Sequence, residues 1–182
     1  MLLGTLNIVN AAEQFQADTE DQKVIASKEE IAEIRLYQPE DKEFIKQQFA
    51  KNSKMLIPTT PDYDVDYLLD TNTPHILYKE HSGKVITKVL CYKKQQVGFG
   101  SCYMHTDTRG DILFVAIDKK FRGKKLAEII VKTHMEDLKK LGAKRVELWV
   151  VNTNTAAHKL YTRLGFKKSE KNEICTRLFI NT

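Results

Sequence analysis

The stretch DILFVAIDKKFRGKKLAEIIVKTHMEDLKKLG, Asp111 to Gly142, decides how this chain is read. Its first eight residues are too apolar for a half-exposed strand and are expected to form a central one. From Leu126 the period becomes helical. Ala127, Ile130, Val131, Met135, Leu138 and Leu141 share one face, and Gly142 supplies the stop. Between strand and helix lies FRGKKLAE, Phe121 to Glu128, three positive charges around one glycine. A helix start already carries the positive end of the macrodipole and would rather have acids beside it. The same helix start leaves backbone N–H groups unpaired, and a glycine lets an anion approach them, so the octapeptide has the makings of an anion site. Taken alone it also fits an exposed turn with solvated lysines. Neither the Walker motif nor the dinucleotide fingerprint can be laid over it, since Gly123 stands alone.

Working outward, KRVELWVV reads as another buried strand, NTAAHKLYTRLG as a second helix ended by glycine, and EICTRLFI as a closing strand. On the N-terminal side, HILYKE, KVITKVLCYK and QQVGFGSCYMH are candidate strands separated by short polar turns, a meander leading into DILFVAID. Before them, EIRLY alternates like a strand. QPEDKEFIKQQFAKN starts a helix with a proline and two acids and sets Phe44, Ile45 and Phe49 on one side. IPTTPDYDVDYLLDTNTP, with three prolines and four aspartates, is expected to be a loop with at most a short helix. Residues 1–33 read as an N-terminal extension, partly helical around KEEIAEI or disordered, and residues 34–182 as one α/β domain with a mixed sheet.

The bulk numbers fit an ordinary globular protein: 182 residues, 42% hydrophobic and 29% charged. Charge is uneven. Residues 1–34 hold seven acids and two bases, a net of −5, so the remainder carries +10 of the overall +5. A basic body favours anionic partners without separating phosphate ligands from nucleic acid. Three cysteines with no C-x-x-C pair argue against a disulfide framework or a zinc site and suit a reducing, cytoplasmic setting. The mildly apolar start lacks the basic n-region of a signal peptide, and no run reaches the ~18 residues of a membrane span.

The two helical motifs together resemble the GNAT superfamily of N-acetyltransferases. The family's acyl-CoA motif, Q/R-x-x-G-x-G/A, is matched by Arg122 and Ala127, with Lys125 in place of the middle glycine. Its second signature, N-x-x-A-x-x-L-Y-x-x-x-G-F, is met in full by Asn154, Ala157, Leu160, Tyr161, Gly165 and Phe166. The resemblance covers roughly residues 34–182. It implies a single GNAT-like domain, a mostly antiparallel mixed sheet with flanking helices and a splayed cleft for acyl-CoA. It also implies an acetyl-CoA-dependent transfer to a primary amine, by direct attack in a ternary complex. Carried over by position, Val115, Ala116 and Ile117 would lie along the pantetheine arm. Arg122, Gly123, Lys124, Lys125, Leu126 and Ala127 would hold the pyrophosphate, and Asn154 and Tyr161 would meet the cofactor. At Lys125, the first turn of a helix gives any L-residue acceptable dihedrals, so the backbone N–H is expected to be kept.

Among catalytic groups, the resemblance makes Tyr161 the general acid that protonates the departing thiolate. A phenol of pKa ~10 suits that task, although Leu160 and Tyr161 could instead simply dock the second helix. Asp111 stands where the histone-lysine-acetylating branch places a glutamate base. Aspartate near pKa ~3.9 is a poor base unless buried, and a turn role after Gly110 is the alternative. Glu147 and His105 are lesser candidates for base. His134 is expected to pack along its helix and His158 to lie at the surface. Asp62, Asp64, Asp66 and Asp70 could attract a cationic acceptor or merely be solvated. No metal is implied. Two other classes remain open: an acyl-CoA-binding module without turnover, and a nucleic-acid binder, which no recognition motif supports. The amine acceptor is unidentified, and a homodimer is neither required nor excluded.

Overall fold

The computed structural model describes residues 32–58, 63–69 and 85–182. The expected extension lies outside them up to residue 31, as do HILYKE, Asp62 and Asp70. The last three residues of KEEIAEI belong to a strand: β1 runs Ala32–Leu36. After it, Pro39–Asp41 form a 3-10 turn, and α1 spans Lys42–Leu56. The proline and acids thus make the turn before the helix rather than its first residues. Ile45 and Phe49 are buried from α1 and Phe44 partly so. A short helix α2, Asp66–Leu69, sits in the proline-rich segment.

The meander is β2 (Ile86–Tyr92), β3 (Gln95–Thr106) and β4 (Arg109–Ile117). Helix α3 (Leu126–Lys140) leads to β5 (Arg145–Val151), and α4 (Thr155–Arg163) leads to β6 (Lys167–Lys171) and β7 (Cys175–Asn181). Strand β6 has no counterpart in the sequence reading. All five of its residues are exposed, so no apolar alternation marks it. The seven strands lie in the order β1-β2-β3-β4-β5-β7-β6, antiparallel throughout except for β4 beside β5.

Two apolar layers clamp the sheet. On one face α1 packs Ile45 and Phe49 against Val89, Phe99, Tyr103 and Phe114. On the other, α3 brings Val131 and Leu138 onto Cys102, Ile112, Val146 and Leu148, and Ile130 onto Leu90, Val97 and Ile117. His134 is fully buried on the same helix face, whereas Leu141, expected to join it, caps the helix and is exposed. Glycines let α3 come this close. A Cβ on Gly100 would stand 2.8 Å from His134 Nε2, and one on Gly110 would stand 2.6 Å from Leu138 Cδ2.

Strand β4 is central, as its composition suggests, yet alternate residues are only half-buried. The cause is its neighbour on one side. Parallel pairing with β5 runs from Arg109↔Arg145 to Asp111↔Glu147 and stops, while β4 continues to Ile117 and β5 to Val151. On its other side β4 stays paired with β3, with two irregularities: one makes His105 an extra residue of β3 between Met104↔Gly110 and Thr106↔Arg109, and the other falls at Leu113. Ser101 pairs with Phe114 and Cys102 with Ile112, which leaves Leu113 as an extra residue. Such a bulge bends a strand and increases its local twist. It also sets Leu113 and Phe114 against the same α1-side layer.

Replacing Gly100 by Ala forces Ile130 and His134 to move. Overpacking of this kind costs about 1–3 kcal/mol. Thermal denaturation of Gly100→Ala should show a lower Tm by about 2–4 °C for each kcal/mol lost. An unchanged Tm would mean that α3 is not seated tightly on β3.

Candidate functional site

The gap between β4 and β5 is a cleft of about 620 Å3. One wall is Ile112 to Ile117 and the other Leu148 to Val150, with Asn154, Ala157, Leu160 and Tyr161 of α4 beside the latter. At one end stands the start of α3, with Arg122, Gly123, Lys125, Leu126 and Ala127. Because β4 has no strand partner on this side past Asp111, its backbone edge is turned toward the cleft. An unpaired edge offers N–H and C=O groups to an extended ligand. Val115, Ala116 and Ile117 therefore line the cleft and also pack in the core.

The octapeptide departs from expectation at Lys125. The residue is the N-cap of α3, outside its first turn, with φ 59° and ψ 13°. This is the left-handed region, which costs a non-glycine residue roughly 1–2 kcal/mol. Gly123, at φ 81°, has the same sense of turn without that penalty. The position thus has a conformational reason to be glycine, and the chain places lysine there. Arg122 is fixed by two bonds: Nε donates to the Ile117 carbonyl at 3.1 Å and Nη2 to Asn52 Oδ1 of α1 at 2.6 Å. Lys124 is not in the cleft wall. Its ammonium lies 5.6 Å from the Tyr92 ring centroid. Glu128 lines the cleft mouth, held by Lys132 and Arg163, which bring its carboxyl down to about 2.

Asn154 is the N-cap of α4, and its side-chain oxygen accepts from the Ala157 N–H at 3.2 Å. That bond orients the helix start beside the cleft. Tyr161 is buried in the cleft wall, with its ring edge-on to Phe166 at 5.7 Å. Burial pushes its phenol up to about 12, so it stays protonated.

Asp111 belongs to the last β4–β5 pair before the strands part, one residue before Ile112, where the cleft lining begins. Burial pushes its carboxyl up to about 6, against the pull of Arg109 and with the help of the nearby Glu147 charge. His105 Nδ1 is 3.3 Å from Asp111 Oδ2 and 2.7 Å from the Tyr103 hydroxyl, which is itself 3.4 Å from Asp111. His105 and Asp111 thus come together, a pairing that strand alternation alone did not reveal. Tyr103, which the sequence reading passed over, joins them. It follows His105 by parity along β3, a signal usable only once the Tyr103↔Asp111 register is known. Glu147 has a different setting. Arg145 Nε donates to its Oε1 at 2.5 Å and Arg177 reaches its Oε2, so its charge is already matched.

Among the described acidic-loop residues, Asp66 is also matched. Asp66 pairs with Lys46 at 2.9 Å and Lys42 at 3.2 Å, and Asp64 accepts from the Asp66 N–H. Asp66 therefore offers little attraction to a cationic acceptor. His158 is half-buried rather than at the open surface. The three cysteines are free. Among the described residues, Cys102, His134 and Asp137 bring ligand-type atoms within 4.8 Å of one another, but Lys88 Nζ, 2.6 Å from Asp137, already supplies the countercharge.

Relief of the left-handed strain can be measured. Lys125→Gly should raise the Tm by about 2–4 °C, the equivalent of about 1 kcal/mol. Lys125→Glu keeps the strained backbone and should show no such gain. Equal Tm values for the glycine and glutamate variants would remove the conformational explanation.

Residues 45–166 match the acetyltransferase (GNAT) family. A mycothiol acetyltransferase of Corynebacterium efficiens is 32% identical over 78 residues, which is 43% of this chain and 26% of that protein. The chain thus matches about a quarter of the length of that curated relative. Among solved structures, the PaiA N-acetyltransferase of Thermoplasma acidophilum in complex with coenzyme A superposes with a TM-score of 0.65 at 17% identity, covering 83% of this chain and 99% of that one. An acetyltransferase of Bacillus subtilis in complex with CoA gives 0.62 at 18% identity, covering 83% and 99%. These likenesses speak for the fold, and the cleft has the splayed form that the sequence motifs imply. With two thirds of its length matched to the family, the chain belongs to the GNAT acetyltransferases.

Proposed function

We propose that this protein is an N-acetyltransferase that moves an acetyl group from acetyl-CoA to a primary amine by direct attack in a ternary complex. The observation that carries this reading is the cleft itself: an unpaired β4 edge ending at a glycine-bearing helix start, with a protonated tyrosine in its wall. The β4 edge from Ile112 to Ile117 suits the amide groups of pantetheine, and the N–H groups from Gly123 to Ala127 suit a pyrophosphate. Three free cysteines agree with a reducing compartment, and we place the enzyme in the cytoplasm.

In this reading Asp111 accepts the proton of the incoming ammonium. A carboxylate near 6 is ionised at neutral pH and is a stronger base than an ordinary one. His105, 3.3 Å away, offers the proton a way onward. Tyr161, kept neutral by burial, gives a proton to the departing sulfur.

Thiol release from acetyl-CoA with a panel of amines tests the activity. If CoA binds while no amine gives turnover, the chain is an acyl-CoA-binding module instead. Tyr161→Phe should lower kcat by about 10²-fold or more. For Asp111 the pH sign follows from its direction of shift. The kcat/KM profile should rise through about pH 6, and Asp111→Asn should abolish that limb. Stability moves oppositely. The fold favours the protonated form, so this group's contribution is present below 3.8 and lost as pH rises through about 6. Asp111→Asn should therefore gain more Tm at about pH 8 than at about pH 5. A pH-independent gain would mean that burial does not raise this carboxyl.

A further inference from the structure

Helix α4 lines the cleft with Ala157, Leu160 and Tyr161, and a second groove with His158, Lys159 and Thr162. This groove, of about 610 Å3, runs between α4 and the β6–β7 hairpin, which contributes Lys168, Lys171 and Thr176. Among the described residues its lining is polar throughout and includes no carboxylate. The cause lies in β6. Strand alternation sends residues three apart, such as Lys168 and Lys171, to opposite faces. Here the register breaks between Lys168 and Glu170, with Ser169 as the extra residue. Lys168 then stands opposite Leu178 and Lys171 opposite Thr176, two residues buried on one face of β7. Glu170 falls opposite Arg177 on the other face and pairs with it at 3.7 Å. One bulge thus gathers two lysines toward α4 and turns the only acid of the strand away. Lys159, Lys168 and Lys171 are exposed, and none is ion-paired among the described residues. Arg163, which borders both groove and cleft, is already held by Glu128.

We propose that this groove binds the backbone of single-stranded RNA, without regard to sequence. The ligand must be anionic, because three cations line the groove with no anion among them. Those cations are all lysines, which hold phosphates as point charges, whereas a carboxylate is better matched by a free arginine fork. The lining has no aliphatic or aromatic anchor. A folded protein partner or a lipid surface would need one. The lack of aromatic rings also leaves nothing for bases to stack on, so contact is with phosphate and sugar. The exposed hydroxyls of Thr155 and Thr162 suit the 2′-hydroxyls of RNA. At longer range, the net charge of +10 beyond residue 34 steers a polyanion toward the body. The absence of a recognition motif does not count against this, since backbone contacts carry no sequence information. The site is separate from the acetyl-transfer cleft and does not rest on that reading.

The test follows the fluorescence anisotropy of a fluorescein-labelled, mixed-sequence RNA strand as the full chain is added over a range of salt concentrations. Affinity should fall steeply with salt, with a log–log slope of about −0.7 for each phosphate engaged. Changing Lys159, Lys168 and Lys171 together to Gln should weaken binding by about tenfold or more and flatten the slope by about 2. A control variant carries Lys139→Gln, Lys140→Gln and Lys144→Gln, which removes the same charge from exposed positions outside the groove. It should keep most of the affinity and slope. Each groove lysine is also changed singly, so that three slopes still decide if the triple variant does not fold. None of these lysines lines the cleft, so the affinity for CoA should be unchanged in every variant. The proposal is overturned if the control costs as much as the groove variant, since net charge then explains the whole effect. It is equally overturned if DNA of the same sequence or polyglutamate binds as tightly as the RNA, if acetyl-CoA displaces the RNA, or if no RNA binds at low salt.

Discussion

Parallel pairing between β4 and β5 lasts for three residue pairs, and the rest of the molecule is arranged around the place where it stops. Two strands that part in the middle of a sheet expose backbone that would ordinarily be paired, and they cannot hold themselves together. Each is secured from its far side instead. Strand β4 keeps its ladder with β3, bent by the extra residue at Leu113, and β5 keeps an unbroken ladder with β7 from Arg145 to Val151. Helix α3 closes the back of the sheet over the missing glycine side chains, and α4 lies alongside the opening. The cleft is thus an interruption in the sheet whose two walls are each secured by a ladder on the far side.

Buried carboxylates show how the same chain tunes charge in opposite directions. Burial works against the charge of Asp41, yet Arg35, the Gln38 N–H and Gln96 all bond to it and hold its carboxyl below the ordinary value. Asp111 is buried beside an arginine too, but that arginine stands at 3.5 Å, and the Tyr103 hydroxyl that donates to its carboxylate does so at 3.4 Å. Desolvation therefore dominates and the carboxyl rises. The number of well-placed donors, more than the nearness of positive charge, separates a structural carboxylate from one able to exchange protons.

Much of this was legible in the sequence. The DILFVAID strand, the α3 periodicity and the signature from Asn154 to Phe166 place the cleft and most of its lining, because each rests on local patterns of period and motif. What escaped was tertiary. Strand β6, with five exposed residues, has no apolar alternation to betray it. Lys125 was expected inside a helical turn, and only the path of the chain out of Gly123 forces it into the left-handed region. Lys124 shares the charge of its neighbours but points to Tyr92, a direction that spacing cannot reveal. The meeting of Tyr103, His105 and Asp111 depends on the β3–β4 register, which is irregular at His105 itself.

The loop before α3 is stitched to α1 by two long-range bonds. Gln48 Nε2 donates to Asp118 Oδ2 at 2.9 Å, and Arg122 Nη2 donates to Asn52 Oδ1. Gln48 and Asn52 are four apart, so they project from one side of α1 as adjacent rungs. Helix α1 and the segment from Asp118 to Arg122 therefore behave mechanically as a single bracket, although seventy residues of chain separate them. Whatever pulls on the loop is felt at once by the helix that roofs the opposite face of the sheet.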